Sequence, residues 1–280
     1  MAITAQDVKK LRELTDAPMM DCKKALEEAD GDIDKAKDIL REKGAAASQK
    51  KAGRATKEGI AKVVVSEDGK TGAGIIVECE TDFVSRNDDF KNMVDKLVRG
   101  MLADGSAGLD VVVEGLTVEQ HLAEAVGKIR ENIQIRKAEI FHAGEGKLAA
   151  YNHHDGKWAS VVTYNGGNAE AAQQIAVNVV AFKPTYLQKS DIPKEIIDAE
   201  FDVQKRRALE EGKPENIAEN IANGRINKEY YQENVLLEQL IYLDNKTKVI
   251  DYLAQNGGGT VTAYALLAVG QSADGEGDAE

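Results

Sequence analysis

The sequence contains an internal repeat, and this repeat restricts the possible fold more than any other feature. Within residues 60–77, two apolar, strand-like runs flank an Asp-Gly-Lys turn at 68–70, and a helical pattern follows. Residues 147–162 repeat the arrangement around a second Asp-Gly-Lys turn at 155–157, 87 positions further along the 280-residue chain. An Asp-Gly pair between two β-rich runs is a strong hairpin signal. The repeat therefore predicts an α+β fold with two core subdomains, each an antiparallel sheet with helices packed on it.

The two copies differ by extra chain between the second strand and the helix. The helical apolar positions of the first copy begin at Phe90 and align with those that begin at Ala172, at an offset of 82. Because the turns align at an offset of 87, the first copy has five additional residues before its helix. These residues fall within 80–87, which includes the run Thr81-Asp82-Phe83-Val84.

Phe83 is an aromatic residue in a polar connecting segment, and the residues alone leave two interpretations open. Either the side chain folds back as a plug for its own core, or it forms a finger that inserts into a partner. An aromatic side chain at an interface contributes roughly 2 to 4 kcal/mol of binding free energy. The two interpretations differ in one observable, which is the exposure of Phe83 in the free chain.

Residues 1–44 predict a bundle of three short helices. Apolar residues recur at helical spacing in three runs that are separated by turn residues, and the third helix is expected to end before Gly44. A bundle of this size has a thin core, so its stability should be marginal. Met19 and Met20 stand at the start of the second helix. We expect one of these side chains in the core and the other exposed, where a flexible thioether suits a partner surface.

The remaining segments are assigned by composition and pattern. Residues 45–58 are rich in Ala, Lys and Gly and predict a basic linker, for which a solvated, mobile segment is favoured over contact with RNA. Two helical patterns around Gly212-Lys213-Pro214 predict an antiparallel helical hairpin. The predicted segments after the linker are the first core subdomain at 59–142, the second core subdomain at 143–192 and 234–270, the hairpin insertion at 193–233 and a disordered acidic tail at 271–280.

Charge and composition argue against several classes of protein. A net charge of −12 is unfavourable for a general nucleic-acid binder, since phosphate contacts need a positive field, so no direct nucleic-acid partner is expected. We expect no membrane partner, because no apolar run reaches the length of a membrane span and the N-terminus has no signal-peptide pattern. Cys22 and Cys79 are too few for a disulfide framework. These features predict a reduced, cytoplasmic protein.

The sequence offers little for an enzyme active site. It has no glycine loop for phosphate, no nucleophile elbow and no paired-cysteine motif, and we expect no cofactor. His153 and His154 are adjacent, and neighbours on a regular strand point to opposite faces, so they cannot bind one ion from a regular strand. A pair at the end of a hairpin is the favoured interpretation. Glu78, Glu80 and Asp82 alternate along the chain, so on a strand they would lie on one face and could bind a divalent ion. A solvent-exposed acidic face explains the pattern equally well. An enzyme is therefore the minority interpretation.

Several motifs, taken together, resemble one known family. Each motif alone has moderate specificity, but they occur in order and cover the chain to about residue 269. On these motifs the chain closely resembles bacterial translation elongation factor Ts. The motifs are Leu11-Arg12-Glu13-Leu14-Thr15, Met19-Met20-Asp21-Cys22-Lys23-Lys24-Ala25-Leu26, Glu78-Cys79-Glu80-Thr81-Asp82-Phe83-Val84, Asn132-Ile133-Gln134-Ile135-Arg136, Gly212-Lys213-Pro214 and Gly224-Arg225.

The resemblance implies a guanine-nucleotide exchange factor for elongation factor Tu, with a ubiquitin-associated-like N-terminal bundle. It also implies a role for the extra chain of the first copy. In the family a Thr-Asp-Phe-Val finger enters the GTPase domain of the partner near its Mg²⁺ site. That finger corresponds here to Thr81, Asp82, Phe83 and Val84.

The resemblance implies two further contacts with the same partner. The N-terminal bundle of the family contacts the GTPase domain, which here points to Arg12, Met19 and Met20. A histidine on the first hairpin of the second core subdomain contacts another domain of the partner, which points to His153.

Two alternative functions remain open at this stage. The chain could be a binding scaffold that has no effect on nucleotide, or a metal-dependent hydrolase built on Glu80, Asp82 and His153. The hairpin at 193–233 also offers an apolar stripe that could pair with a second copy of the chain, as a homodimer, or rest on its own core.

Overall fold

The computed structural model of the chain describes residues 3–271. Helices and strands are both abundant in it, which confirms the expected α+β class. The acidic tail predicted at 271–280 lies outside the described residues except for Gln271, so its disorder stays a prediction. Within residues 3–271, no helix is both long enough and apolar enough to cross a membrane.

Three helices form the N-terminal part: α1 (Ala5–Thr15), α2 (Met19–Glu28) and α3 (Ile33–Lys51). Thr4 caps α1 in a capping box with Asp7, and the Asp32 side chain accepts hydrogen bonds from the first backbone N–H groups of α3. The apolar faces of the three helices meet in a small core. Its fully buried members are Leu11, Cys22, Ala25, Leu26 and Ala36.

The third helix is longer than the sequence predicts. We expected it to end before Gly44, with a linker from 45 to 58, whereas α3 continues to Lys51. Alanine and lysine favour helix, and α3 also packs against a helix of the first repeat, Val118–Ile129, which supports the extension. Gly44 lies so close to the helix Val118–Ile129 that a Cβ atom on residue 44 would collide with the backbone of Ala123. The glycine therefore permits a close helix approach instead of ending α3.

The first repeat forms an antiparallel sheet of three strands with helices on one face. Along the chain its elements are β1 (Glu58–Val65), β2 (Thr71–Cys79), the one-turn helix α4 (Asp82–Ser85), α5 (Asp88–Asp104), the short ladder β3 (Val112–Val113) and β4 (Leu116–Thr117), α6 (Val118–Ile129) and β5 (Ile133–His142). The strand order is β1-β2-β5. Phe90, Leu97 and Met101 of α5 are buried in the core beneath this sheet.

The second repeat forms a sheet of the same kind. Its elements are β6 (Lys147–Asn152), β7 (Trp158–Asn165), α7 (Ala169–Phe182) and, after a long insertion, β8 (Thr260–Ala268). The strand order is β6-β7-β8, so the final strand completes the sheet as the third member. Ile175 and Val179 of α7 are fully buried in the second core.

The insertion between α7 and β8 contains two antiparallel helices, α8 (Lys194–Glu210) and α9 (Glu215–Arg225). Ala208, Ala218 and Ala222 are fully buried, as expected for closely packed helices. Gly224 has open space around it, so it does not serve a close helix approach. The chain continues through a π-helical turn (Ile226–Tyr230), α10 (Tyr231–Asn234), a 3₁₀ turn (Leu236–Glu238) and α11 (Val249–Gln255).

The faces of the two sheets that the helices leave free pack against each other. Ala61, Val63 and Ile76 of the first sheet share a buried cluster with residues of the second, including Val161 and Leu267. Backbone hydrogen bonds between the sheets repeat the sequence offset. The Ala61 N–H donates to the Gly156 carbonyl and the Leu148 N–H donates to the Gly69 carbonyl, both at 2.8 Å. The two donors, Ala61 and Leu148, are 87 positions apart, and so are the two acceptors, Gly69 and Gly156. The two hydrogen bonds are therefore equivalent, and a local pseudo-two-fold axis relates the two repeats.

Candidate functional site

Helix α4 is the part of the first repeat that the second repeat lacks. Eight residues, 80–87, connect β2 to α5, whereas the three residues 166–168 connect β7 to α7. The five additional residues inferred from the sequence offsets are therefore present between strand and helix. They fold into the single turn of α4 and the residues beside it.

Phe83 and its neighbour Val84 lie in opposite environments on α4. The Phe83 side chain is 85% exposed, whereas Val84 is 9% exposed and packs into the core beneath the first sheet. Val84 therefore anchors the turn, and the anchored turn presents the phenyl ring to solvent. This exposure excludes the interpretation of Phe83 as a plug for its own core.

Polar contacts hold the base of α4 in place. The Thr81 N–H donates to Glu131 Oε2 at 3.0 Å, and the Thr81 hydroxyl donates to Glu131 Oε1 at 2.7 Å. One carboxylate thus accepts both hydrogen bonds from Thr81. Asp82 forms an ion pair with Arg86, 3.2 Å from Nη2 to Oδ2, one turn later. The Asp82 carboxylate is therefore directed along α4 and is still 41% exposed.

The acidic residues at the end of β2 make internal hydrogen bonds. Glu78 is buried, and its Oε2 accepts from the Thr56 hydroxyl at 2.9 Å. Glu80 Oε1 accepts from the Asn132 N–H at 2.6 Å and pairs with Arg54 at 3.2 Å. The hydrogen bond from Asn132 is the main cause of the lowered pKa of Glu80, and Arg54 lowers the pKa further. These carboxylates are occupied by structural partners.

Both methionines at the start of α2 are exposed, so the expectation that one is buried is wrong. Met19 is 55% exposed and Met20 is 59% exposed. Leu14, in the last turn of α1, is also 55% exposed. The first turn of α2 extends beyond the small core, so these side chains have no apolar partner there. Arg12 is likewise exposed, on the last turn of α1.

His153 lies in the β6–β7 hairpin, just after β6 ends at Asn152. Its Nδ1 is 2.9 Å from Asp155 Oδ1, and its ring centroid is 4.2 Å from that of His154. The chain has left the regular strand here, which confirms the expectation of a histidine pair at the end of the hairpin. Burial raises the pKa of Asp155, but the close approach of His153 and the hydrogen bond from the Lys157 N–H outweigh this effect and lower it.

The structure does not bring together the residues of the metal-dependent hydrolase hypothesis. The Glu80 carboxylate contacts Asn132 and Arg54. Asp82 lies on α4, and His153 lies in the hairpin of the second sheet. Among residues 3–271, no group of three or more His, Cys, Asp and Glu side chains could hold a metal ion. That hypothesis therefore has no site in the described part of the chain.

Sequence reasoning missed three charged residues that contact the predicted site. Glu131 binds Thr81, Arg130 pairs with Asp21 beside Met20, and Lys128 pairs with Asp16. The partners named here lie 50, 109 and 112 positions away in sequence. No local pattern signals such pairs, although all three residues fall within 128–131, at the end of α6 and just after it.

Comparison with known proteins gives a consistent result. The family model described as elongation factor TS matches residues 80–271. Elongation factor Ts of Aquifex aeolicus is 41% identical over 92% of this chain and 94% of that protein. The protein of the same name from a Hydrogenobaculum species is 39% identical over 96% of this chain and 100% of its own length. That of Clostridium kluyveri is 42% identical over 90% of this chain and 86% of its own length.

Proposed function

Since the chain belongs to the elongation factor Ts family, we propose that it binds elongation factor Tu and accelerates release of GDP during translation elongation. The structural observation that supports this proposal most strongly is the exposure of Phe83 on an anchored turn. A large apolar ring that is held in water by its own fold has a strong tendency to be buried in a partner.

The mechanism follows from linkage between two ligands of the partner. A GTPase holds its nucleotide through a phosphate loop and a Mg²⁺ ion that bridges two phosphates. A factor that binds the nucleotide-free or Mg²⁺-poor state more tightly must weaken nucleotide binding by the same factor. Each coupling of about 1.4 kcal/mol changes the affinity tenfold. We infer that Phe83 supplies this coupling by separating helices near the Mg²⁺ site of the partner.

The neighbours of Phe83 have supporting roles in this proposal. Thr81 and Val84 fix the turn from two sides, one by hydrogen bonds and the other by burial. Asp82 orients α4 through Arg86 and offers a carboxylate that competes for hydrogen bonds of the partner. None of these residues performs covalent chemistry, so the chain would act as an exchange factor and not as a catalyst of bond formation.

We propose two further contacts with elongation factor Tu. Met19 and Met20, with Arg12 nearby, form an exposed surface with flexible thioethers that adapts to the GTPase domain. His153, held by Asp155 at the tip of the β6–β7 hairpin, would contact a second domain of the partner. The N-terminal helices, the two sheets with their helices and the α8–α9 hairpin would then be the subdomains of the molecule. A cytoplasmic location follows from the proposed role in translation.

The experiment that tests the proposal is nucleotide release. Elongation factor Tu is loaded with fluorescent GDP, excess unlabelled GDP is added, and the loss of fluorescence is followed with and without the chain. The proposal predicts faster release that saturates with the concentration of the chain. The alternative function, a scaffold that binds without affecting nucleotide, predicts complex formation by ultracentrifugation and an unchanged rate of release.

A further inference from the structure

Five consecutive residues, 128–132, span the end of α6 and its connection to β5, and they contact both surfaces that are proposed to bind the partner. We refer to them as the junction segment. On one side they touch the base of α4, which carries Phe83. On the other side they touch the α1–α2 connection and the first turn of α2, next to Met19 and Met20. A single short segment therefore lies between the two surfaces.

The contacts with α4 come from the C-terminal end of the junction segment. Glu131 accepts both hydrogen bonds of Thr81, at 3.0 and 2.7 Å. The backbone N–H of the next residue, Asn132, donates to Glu80 at 2.6 Å, and Asn132 is only 1% exposed. The two residues that precede Asp82 are thus both bound to the junction segment.

The contacts with the N-terminal helices come from its other end. Lys128 Nζ lies 3.0 Å from Asp16 Oδ2, in the α1–α2 connection, and 3.2 Å from Asp89 Oδ2, in the first turn of α5. Arg130 Nη2 lies 2.7 Å from Asp21 Oδ2, and Asp21 directly follows Met20 in the chain. Two cations thus tie the start of α2 to the part of the chain that holds α4.

These ion pairs supply a constraint that the helix packing lacks. The N-terminal helices are attached to the first core through α3, which packs along α6 at Gly44 and Gly127. Arg41 of α3 adds an ion pair to Glu124 of α6, 3.1 Å from Nε to Oε1. The first turn of α2, which carries Met19 and Met20, is not part of this helix pair. Lys128 and Arg130 contact Asp16 and Asp21 beside that turn, so they fix it relative to α6.

We propose that the junction segment is a positioning element that holds the Met19–Met20 surface and Phe83 at a fixed spacing, so that both engage the partner in one binding event. This inference rests on the proposed function. Two surfaces on one rigid body lose less freedom on binding than two surfaces on a flexible connection, and the second contact then forms at a high effective concentration. Arg130 and Glu131 are thus positioning residues.

The first test measures the spacing in the free chain, without any partner. Spin labels are attached to the exposed positions of Lys24→Cys in α2 and Asn92→Cys in α5, and the distance distribution is measured by pulsed electron resonance. Cys22 and Cys79 are fully buried and should not be labelled. The proposal predicts a narrow distribution in the parent chain and a broader one in Arg130→Gly. An equally narrow distribution in Arg130→Gly would overturn it.

Arg130→Gly separates a positioning role from a role in stability. Arg130 ends α6 with a φ of 67°, a left-handed conformation that glycine adopts without strain. The substitution removes the ion pair with Asp21 but relaxes the backbone, so the thermal unfolding midpoint should not fall. A broadened distance distribution in a chain of undiminished stability then reports the lost ion pair and not a damaged fold.

The second test uses release of fluorescent GDP and reversal of charges. Arg130→Asp and Asp21→Arg should each raise the chain concentration for half-maximal stimulation, by roughly threefold to tenfold, with the maximal rate unchanged. The double variant Arg130→Asp with Asp21→Arg should restore the parent value. No change in the single variants, or no rescue in the double variant, would overturn the proposal. If the parent chain itself fails to stimulate release, the proposed function fails, whereas the distance measurement still decides the spacing.

Discussion

Gly44 of α3 lies so close to the carbonyl oxygen of Ala123 in α6 that no side chain fits between them. This contact attaches the N-terminal helices to the first sheet and its helices. It also explains why α3 continues through a glycine that normally weakens a helix, since close packing compensates for the flexibility of glycine. The position of the Met19–Met20 surface therefore depends on this residue.

Replacement of Gly44 should reverse the usual effect of such a change. Gly→Ala in a helix interior ordinarily stabilises by roughly 0.5–1 kcal/mol. Gly44→Ala should instead destabilise, because its Cβ would collide with a backbone atom that cannot move independently. Gly224→Ala is the matched control, since Gly224 lies in α9 with open space around it. Urea unfolding should show a lower midpoint for Gly44→Ala and an equal or higher one for Gly224→Ala; equal gains would contradict the close contact.

The opposite environments of Phe83 and Val84 predict opposite effects on stability. Val84→Ala removes two buried methyl groups and should cost about 1–2 kcal/mol in the free energy of unfolding. Phe83→Ala removes an exposed ring and should change that free energy by less than about 0.5 kcal/mol. Chemical denaturation of both variants provides the measurement. A large loss of stability in Phe83→Ala would mean that the ring is buried in solution.

Both cysteines should resist thiol reagents in the native chain. Burial, with a smaller contribution from the nearby charge of Glu131, raises the pKa of Cys79 to about 12. At about pH 8, on the order of one Cys79 thiol in ten thousand is then the reactive thiolate. Burial also raises the pKa of Cys22. Titration with a chromogenic disulfide should detect close to no thiol in the native chain and both thiols after unfolding, whereas prompt native reaction would contradict the packing.

The contacts of Glu80 predict how acid affects stability. Its pKa in the folded chain is below the ordinary value of 4.5, mainly because Asn132 donates a hydrogen bond to the charged form. The stabilisation is therefore complete above about pH 4.5 and is lost as the pH falls through the lower, folded value. Glu80→Gln should be less stable than the parent at about pH 7, and this difference should shrink on acidification below about pH 4.5. A difference independent of pH would exclude this charge effect.

The sequence predicts the repeated sheets and the position of α4 because these features depend on local patterns. Alternating apolar runs and Asp-Gly turns are visible within short stretches, and the offsets of 87 and 82 follow from aligning two such stretches. Whether Phe83 is exposed or buried cannot be read from these local patterns. It depends on whether Val84 or Phe83 enters the core, and that is decided by packing against residues far along the chain.

The remaining differences have the same physical origin. The end of α3 is set by packing across Gly44 and Ala123, which are far apart in sequence. Met19 lies three positions before Cys22 and therefore on the same face of α2. It stands in the first turn of that helix, beyond the core that buries Cys22. Glu131 binds Thr81 across 50 positions. Long-range contacts of this kind leave no periodic trace in the sequence.

The most direct test of the central claim compares Phe83→Ala with the parent chain in release of fluorescent GDP from elongation factor Tu. Leu109→Ala, which changes another exposed apolar residue of the first repeat, is the control. At a chain concentration that saturates the parent, Phe83→Ala should slow stimulated release by at least about tenfold, since the ring supplies more than about 1.4 kcal/mol of coupling. Leu109→Ala should match the parent. Equal release with Phe83→Ala and the parent would contradict the claim that this ring opens the nucleotide site.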